Sequence, residues 1–141
     1  MLSYMVLAKL LPPGEKVVVP SGENIVFDTI MSDSGTDISY DLGAGIITFK
    51  QEGYYYIDWY VSPQTGLSDD GNNWAIKTSL SNLTFTGSSH AKISVATGFA
   101  ILDAEQNETA QLVNVSDNAL TLSRSVQSKA ALSVYRVVGK G

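Results

Sequence analysis

A chain of 141 residues is long enough for one hydrophobic core, and 44% of it is hydrophobic against only 16% charged. Nine basic and fourteen acidic side chains give a formal net charge of −5, and the basic ones are scattered, which argues against nucleic-acid binding. The absence of cysteine removes disulfides, thiolate zinc sites and cysteine nucleophiles together.

Helical periodicity is nearly absent, while short apolar or alternating segments recur between turn signals, so the chain reads as all-β. The first strand is expected over 4–11 and stops at Pro12-Pro13-Gly14. The stretch 1–11 lacks a basic leader and a small-residue cleavage pattern and is too short to span a bilayer, so it is read as a strand, with no membrane insertion. A short apolar run over 17–19 ends at Pro20-Ser21-Gly22, and a strand over 24–30 precedes a turn over 32–35. Strands over 36–40 and 46–50 flank a loop over 41–45, and then comes an aromatic strand over 53–61.

The longest polar loop covers 62–73, followed by a strand over 74–80 with Trp74, Ile76, Thr78 and Leu80 on one face. A brief strand over 83–86 leads to a long one over 90–102, in which Gly98 marks a bulge or bend. An acidic turn over 103–107 and strands over 109–115, 119–123 and 129–138 complete the set. About ten strands exceed an ordinary sheet, so the sheet must fold into two layers. No linker or repeat divides the chain: it reads as a single domain over 1–141, with a tail from 139.

The aromatic strand carries the strongest signal. Alternation sends Tyr55, Ile57, Trp59 and Val61 to one face and Tyr54, Tyr56, Asp58 and Tyr60 to the other. An antiparallel strand usually has one dry face and one wet face, whereas both faces here are fit for contact. The second face is therefore expected to meet another copy of the chain. The last strand agrees, since Ala131, Ser133 and Tyr135 give it a small-residue face that another surface can approach closely.

With the strands in order, the chain resembles the globular domain of the C1q and tumour-necrosis-factor superfamily. It is most similar in pattern to the bacterial heads of collagen-like spore-surface (exosporium) glycoproteins. Val19-Pro20-Ser21-Gly22 with Ile25-Val26-Phe27-Asp28 resembles the family's early strand. Gly53-x-Tyr55-x-Ile57 resembles its Gly-x-Tyr-x-Phe signature, with Ile57 replacing Phe, and 112–116 and 131–136 resemble its closing strands. The resemblance covers about 18–138 and implies a ten-stranded jelly roll assembled as a homotrimer. It implies that Tyr54, Tyr56, Tyr60 and Tyr135 approach the three-fold axis or its flanks, and it implies a collagen-like stalk, of which these residues contain none.

Little in the chain suggests catalysis. The one histidine, His90, lies in Ser88-Ser89-His90 with no Gly-x-Ser-x-Gly elbow. Asp69 and Asp70, before Gly71, offer oxygen ligands suited to calcium but lack EF-hand spacing, and Asp-Gly is also ordinary turn chemistry. Three copies of Asp58 around an axis could bind a cation or share protons. Asp103, Glu105 and Glu108 read as a solvated acidic turn, and Trp74 as a core residue rather than a sugar platform. Asn82, Asn107 and Asn114 head glycosylation sequons that arise by chance in such a composition. The expectation is a non-enzymatic trimerisation and surface-display head, extracellular or on a bacterial spore. The alternative is a head that binds a glycan or protein receptor, with calcium as the one cofactor the sequence leaves open.

Overall fold

The computed structural model describes residues 2–11, 14–63, 72–80, 84–89, 95–123 and 126–139. These form twelve strands and no helix. In chain order they are β1 (Tyr4–Leu10), β2 (Val18–Val19), β3 (Thr29–Ser34), β4 (Ile38–Asp41), β5 (Ile46–Phe49) and β6 (Gly53–Val61). There follow β7 (Asn72–Thr78), β8 (Thr84–Ser89), β9 (Ala96–Ala104), β10 (Glu108–Asn114), β11 (Leu120–Thr121) and β12 (Ser128–Val138).

Ten of them build two five-stranded sheets, sheet I in the order β3-β1-β12-β6-β9 and sheet II in the order β4-β5-β10-β7-β8. The two-residue strands β2 and β11 pair separately. Apart from the consecutive pairs β4–β5 and β7–β8, neighbours in each sheet are not consecutive in the chain, and the first and last long strands lie side by side, which is the wiring of a jelly-roll sandwich. The expected fold class is therefore the observed one.

Alternation explains the core. Tyr55, Ile57, Trp59 and Val61 of β6 are all buried, as are Leu132 and Val134 of β12 and Leu7 of β1. From sheet II they meet Ile47, Phe49, Trp74, Ile76 and Leu112 in one continuous cluster. Across the two layers, the rings of Phe49 and Tyr55 lie 4.4 Å apart.

Several expected elements are placed differently. The segment read as a strand over 24–30 joins no ladder until Thr29, because it changes sheets. At its start Asn24 bridges Val113 and the Ile25 N–H bonds the Leu112 carbonyl in sheet II. At its end the Leu10 N–H of sheet I donates to Asp28 Oδ1, and Ile25 and Phe27 plug the core between. The turn expected at 32–35 begins later, since β3 pairs with β1 through Ser34. Leu80 does not share the Trp74 face: it lies beyond β7 and is exposed. Gly98 makes no bulge, for β6 and β9 stay in register from Gly53–Ala104 to Val61–Ala96.

Candidate subunit interface

The outer face of sheet I brings the notable side chains together. Antiparallel register lines them up in rows across β1, β12, β6 and β9. One row is Tyr4, Tyr135, Tyr56 and Ile101; the next is Val6, Ser133, Asp58 and Phe99; the third is Ala8, Ala131, Tyr60 and Thr97. The Tyr56 ring is 5.3 Å from that of Tyr135 and stacks on Phe99 at 6.4 Å. Tyr60 shares a hydrogen bond between hydroxyls with Ser128, which fixes its ring against β12. All seven residues expected at a subunit contact, Tyr54, Tyr56, Asp58, Tyr60, Ala131, Ser133 and Tyr135, lie on this face.

Two large residues on this face were missed by the sequence reading. Phe99 and Ile101 are 68% and 60% exposed, more than any of the tyrosines. Their alternation was present in the sequence: Ala96, Gly98, Ala100, Leu102 and Ala104 point one way, and Thr97, Phe99, Ile101 and Asp103 the other. Hydrophobicity alone would put the larger set inside. The structure does the reverse, because the core beside β9 is already filled by the large residues of β6.

The outer face of sheet II is different in kind. There the residues alternating with the core set include Ser39, Thr48, Thr109, Gln111 and Lys77, a mostly polar surface that Ile46, Ala75 and Val113 share. The contrast is between one wet face and one apolar face on the same sandwich. Exposed apolar patches of several hundred Å² mark contact surfaces.

Beside the stacked rings, an open hollow of about 730 Å³ is lined among others by Asp58, Trp59, Tyr60, Thr97, Gly98 and Phe99. Asp58 is exposed and makes no hydrogen bond or ion pair among the described residues. Trp59 is buried, and its indole N–H is likewise without a partner.

The remaining candidate sites resolve as follows. Asp69, Asp70 and His90 lie outside the described residues. Among the described residues, no group of three His, Asp or Glu side chains is arranged to hold a metal. Glu108 is buried, its carboxylate accepting the Glu105 N–H, so it holds the turn from within instead of belonging to a solvated acidic loop. Trp74 is fully buried, and its indole N–H donates to Asn72 Oδ1 at 2.9 Å, so it offers no platform for a sugar ring. Asn114 is fully buried too, its amide committed to the Val19 and Asn118 carbonyls and to the Ser116 N–H. No helix among the described residues is long and apolar enough to cross a membrane.

No family model matches the chain, and no curated protein matches it in sequence. Solved structures do match. The globular domain of zebrafish complement 1qA protein superposes with a TM-score of 0.72 at 14% identity, covering 99% of this chain and 100% of that one. Murine APRIL gives 0.71 at 10% identity over 97% of this chain and 100% of that one. Eiger TNF from S. frugiperda gives 0.71 at 11% identity over 99% and 95%. The chain thus has the jelly-roll fold of C1q and TNF globular heads, at identities that speak for the fold alone.

Proposed function

We propose that this chain is a non-enzymatic head that assembles as a homotrimer through the outer face of sheet I. The observation that carries the reading is that face itself, where Phe99, Ile101, Tyr54, Tyr56 and Tyr135 form one apolar surface on a sandwich whose other face is polar. The exposed apolar side chains amount to an area on the order of 600 Å². At ~25 cal/mol per Å² its burial is worth roughly 15 kcal/mol per subunit before association costs of about 4–15 kcal/mol. The C1q-like fold and the spacing of Gly53-x-Tyr55-x-Ile57 support the same reading.

The task of such a head is to lock three chains together and present the opposite, polar sheet and its loops outward. Display on a bacterial spore or cell surface is the finer form of this proposal, and the resemblance of 19–28 and 131–136 supports it. A second reading, a head that binds a glycan or protein receptor, is favoured by the open hollow beside Asp58.

Molar mass in solution, by light scattering coupled to size exclusion with and without a calcium chelator, separates these readings. A trimer that survives chelation supports assembly by apolar burial. Dissociation on chelation moves a metal-dependent head to first place, and a monomer in both conditions overturns the trimer.

A further inference from the structure

We infer that Asp58 makes assembly of this head acid-dependent, each subunit taking up a proton as its sheet I face is buried. The inference rests on the trimer reading above and concerns the regulation of that same surface.

Asp58 sits mid-strand in β6, opposite Ser133 of β12 and Phe99 of β9, with Tyr56 and Tyr60 on either side along its own strand. The titratable groups around it are phenols: Tyr56 and Tyr60 on β6, Tyr135 on β12 and Tyr4 on β1. From β9 it is faced by Phe99, with Thr97 and Ile101 to either side, and the carboxylate of Asp103 lies further along that strand, opposite Tyr54. None of these is a cation at neutral pH.

The described basic side chains are committed or placed elsewhere. Lys9 pairs with Asp28 and Arg136 with Asp37. Lys129 is buried with its ammonium on the Ser123 and Val126 carbonyls. Lys77 belongs to sheet II, Lys50 follows β5 and Lys16 precedes β2. Among the described residues, this face therefore offers Asp58 no counter-charge when a neighbouring subunit covers it.

In the separate subunit Asp58 is exposed, and its charge is solvated. Under a neighbouring subunit the charge loses that water without gaining a partner from the described residues of this face, and a buried unpaired carboxylate neutralises instead of remaining ionised. Asp58 thus gives up its proton only at a higher pH in the assembled state than in the dissociated one. The contribution to assembly is full below the dissociated-state value and is lost as pH rises through the assembled-state value. The subunits associate more tightly in acid and loosen toward neutrality.

The test is the association constant of the full chain and of Asp58→Asn, from concentration-dependent light scattering at pH 5, 6 and 7.5 with chelator present. Circular dichroism confirms the fold of each, and Asp58→Ser substitutes if the amide perturbs it. The wild type is expected to associate at least tenfold more tightly per unit of pH decrease, with an upper limit near a thousandfold set by three protons per trimer. Asp58→Asn is expected to lose most of that slope and to associate more tightly than the wild type at pH 7.5. Equal slopes in the two proteins, or no slope in either trimer, overturn the acid dependence and leave the trimer standing. Weaker association of Asp58→Asn at pH 7.5 overturns it, since the ionised carboxylate would then be favouring assembly instead of opposing it. A monomer in both proteins at every pH overturns this inference and the trimer together.

Discussion

The indole of Trp59 fills the space a side chain at Gly98 would need: a Cβ there would stand 2.2 Å from Cζ2 and 2.6 Å from Cη2 of the ring. The two residues are directly paired across β6 and β9, and the same complementarity continues along the strands. Ile57 faces Ala100 and Val61 faces Ala96, while Tyr55 faces Leu102, the one large residue on that side. Large residues on β6 thus dictate small ones on the inner side of β9, and the bulk of β9, Phe99 and Ile101, is left to face outward.

Gly98→Ala forces a methyl group into a buried indole. We expect a loss of about 1–3 kcal/mol, as for overpacking a filled core, read from the urea or guanidinium midpoint. An unchanged midpoint would mean that Trp59 can shift aside at no cost.

Ile101→Lys tests the other side of the same strand. The side chain is exposed, so the sandwich is expected to keep its circular dichroism and cooperative unfolding while the proposed trimer gives way to monomer. A trimer as stable as the wild type would remove β9 from the interface.

Asn114 links β10 to the β2 and β11 region through three hydrogen bonds, buried to Val19 and Ser116 and partly buried to Asn118. Replacing it by Ala removes all three bonds. At ~1–3 kcal/mol for a buried polar group left unsatisfied, and with relaxation at the partly buried end, Asn114→Ala is expected to cost about 3 kcal/mol. A loss below 1 kcal/mol in chemical denaturation would show that water replaces the amide.

Burial, with the nearby carboxylates of Asp28 and Asp41 adding to it, pushes the Tyr40 phenol up to about 12. Its hydroxyl donates to the Phe27 carbonyl at 2.9 Å. The folded-state value exceeds the usual 10.0, so Tyr40 contributes fully to stability below pH 10 and that contribution is lost as pH rises toward 12. Tyr40→Phe, although less stable at neutral pH for want of the hydrogen bond, is expected to lose stability less steeply between pH 10 and 12. Parallel pH profiles for the two proteins would assign the alkaline loss to other phenols, Tyr55 first, since burial raises it as well.

Much of the molecule was legible one strand at a time. The two faces of β6 followed from alternation, because a strand's side-chain period of two depends only on the local backbone. The turn residues separated the strands well enough to give an all-β sandwich, and the small-residue face of β12 pointed to the same contact surface as β6. The positions of Asp58, Tyr56 and Tyr135 on one surface were thus within reach of the sequence.

The rest depended on partners that sequence does not name. Ile25 and Phe27 look like strand residues, yet they cross between sheets, because their backbone groups find partners at Leu112 and Tyr40. Gly98 looks like a bend and is room for Trp59; Phe99 and Ile101 look like core and face outward. Local pattern determines which residues share a face. Which face is dry is decided only when the opposing strands have filled the volume between the sheets, since a close-packed interior admits one allocation of large and small side chains and turns the remainder outward.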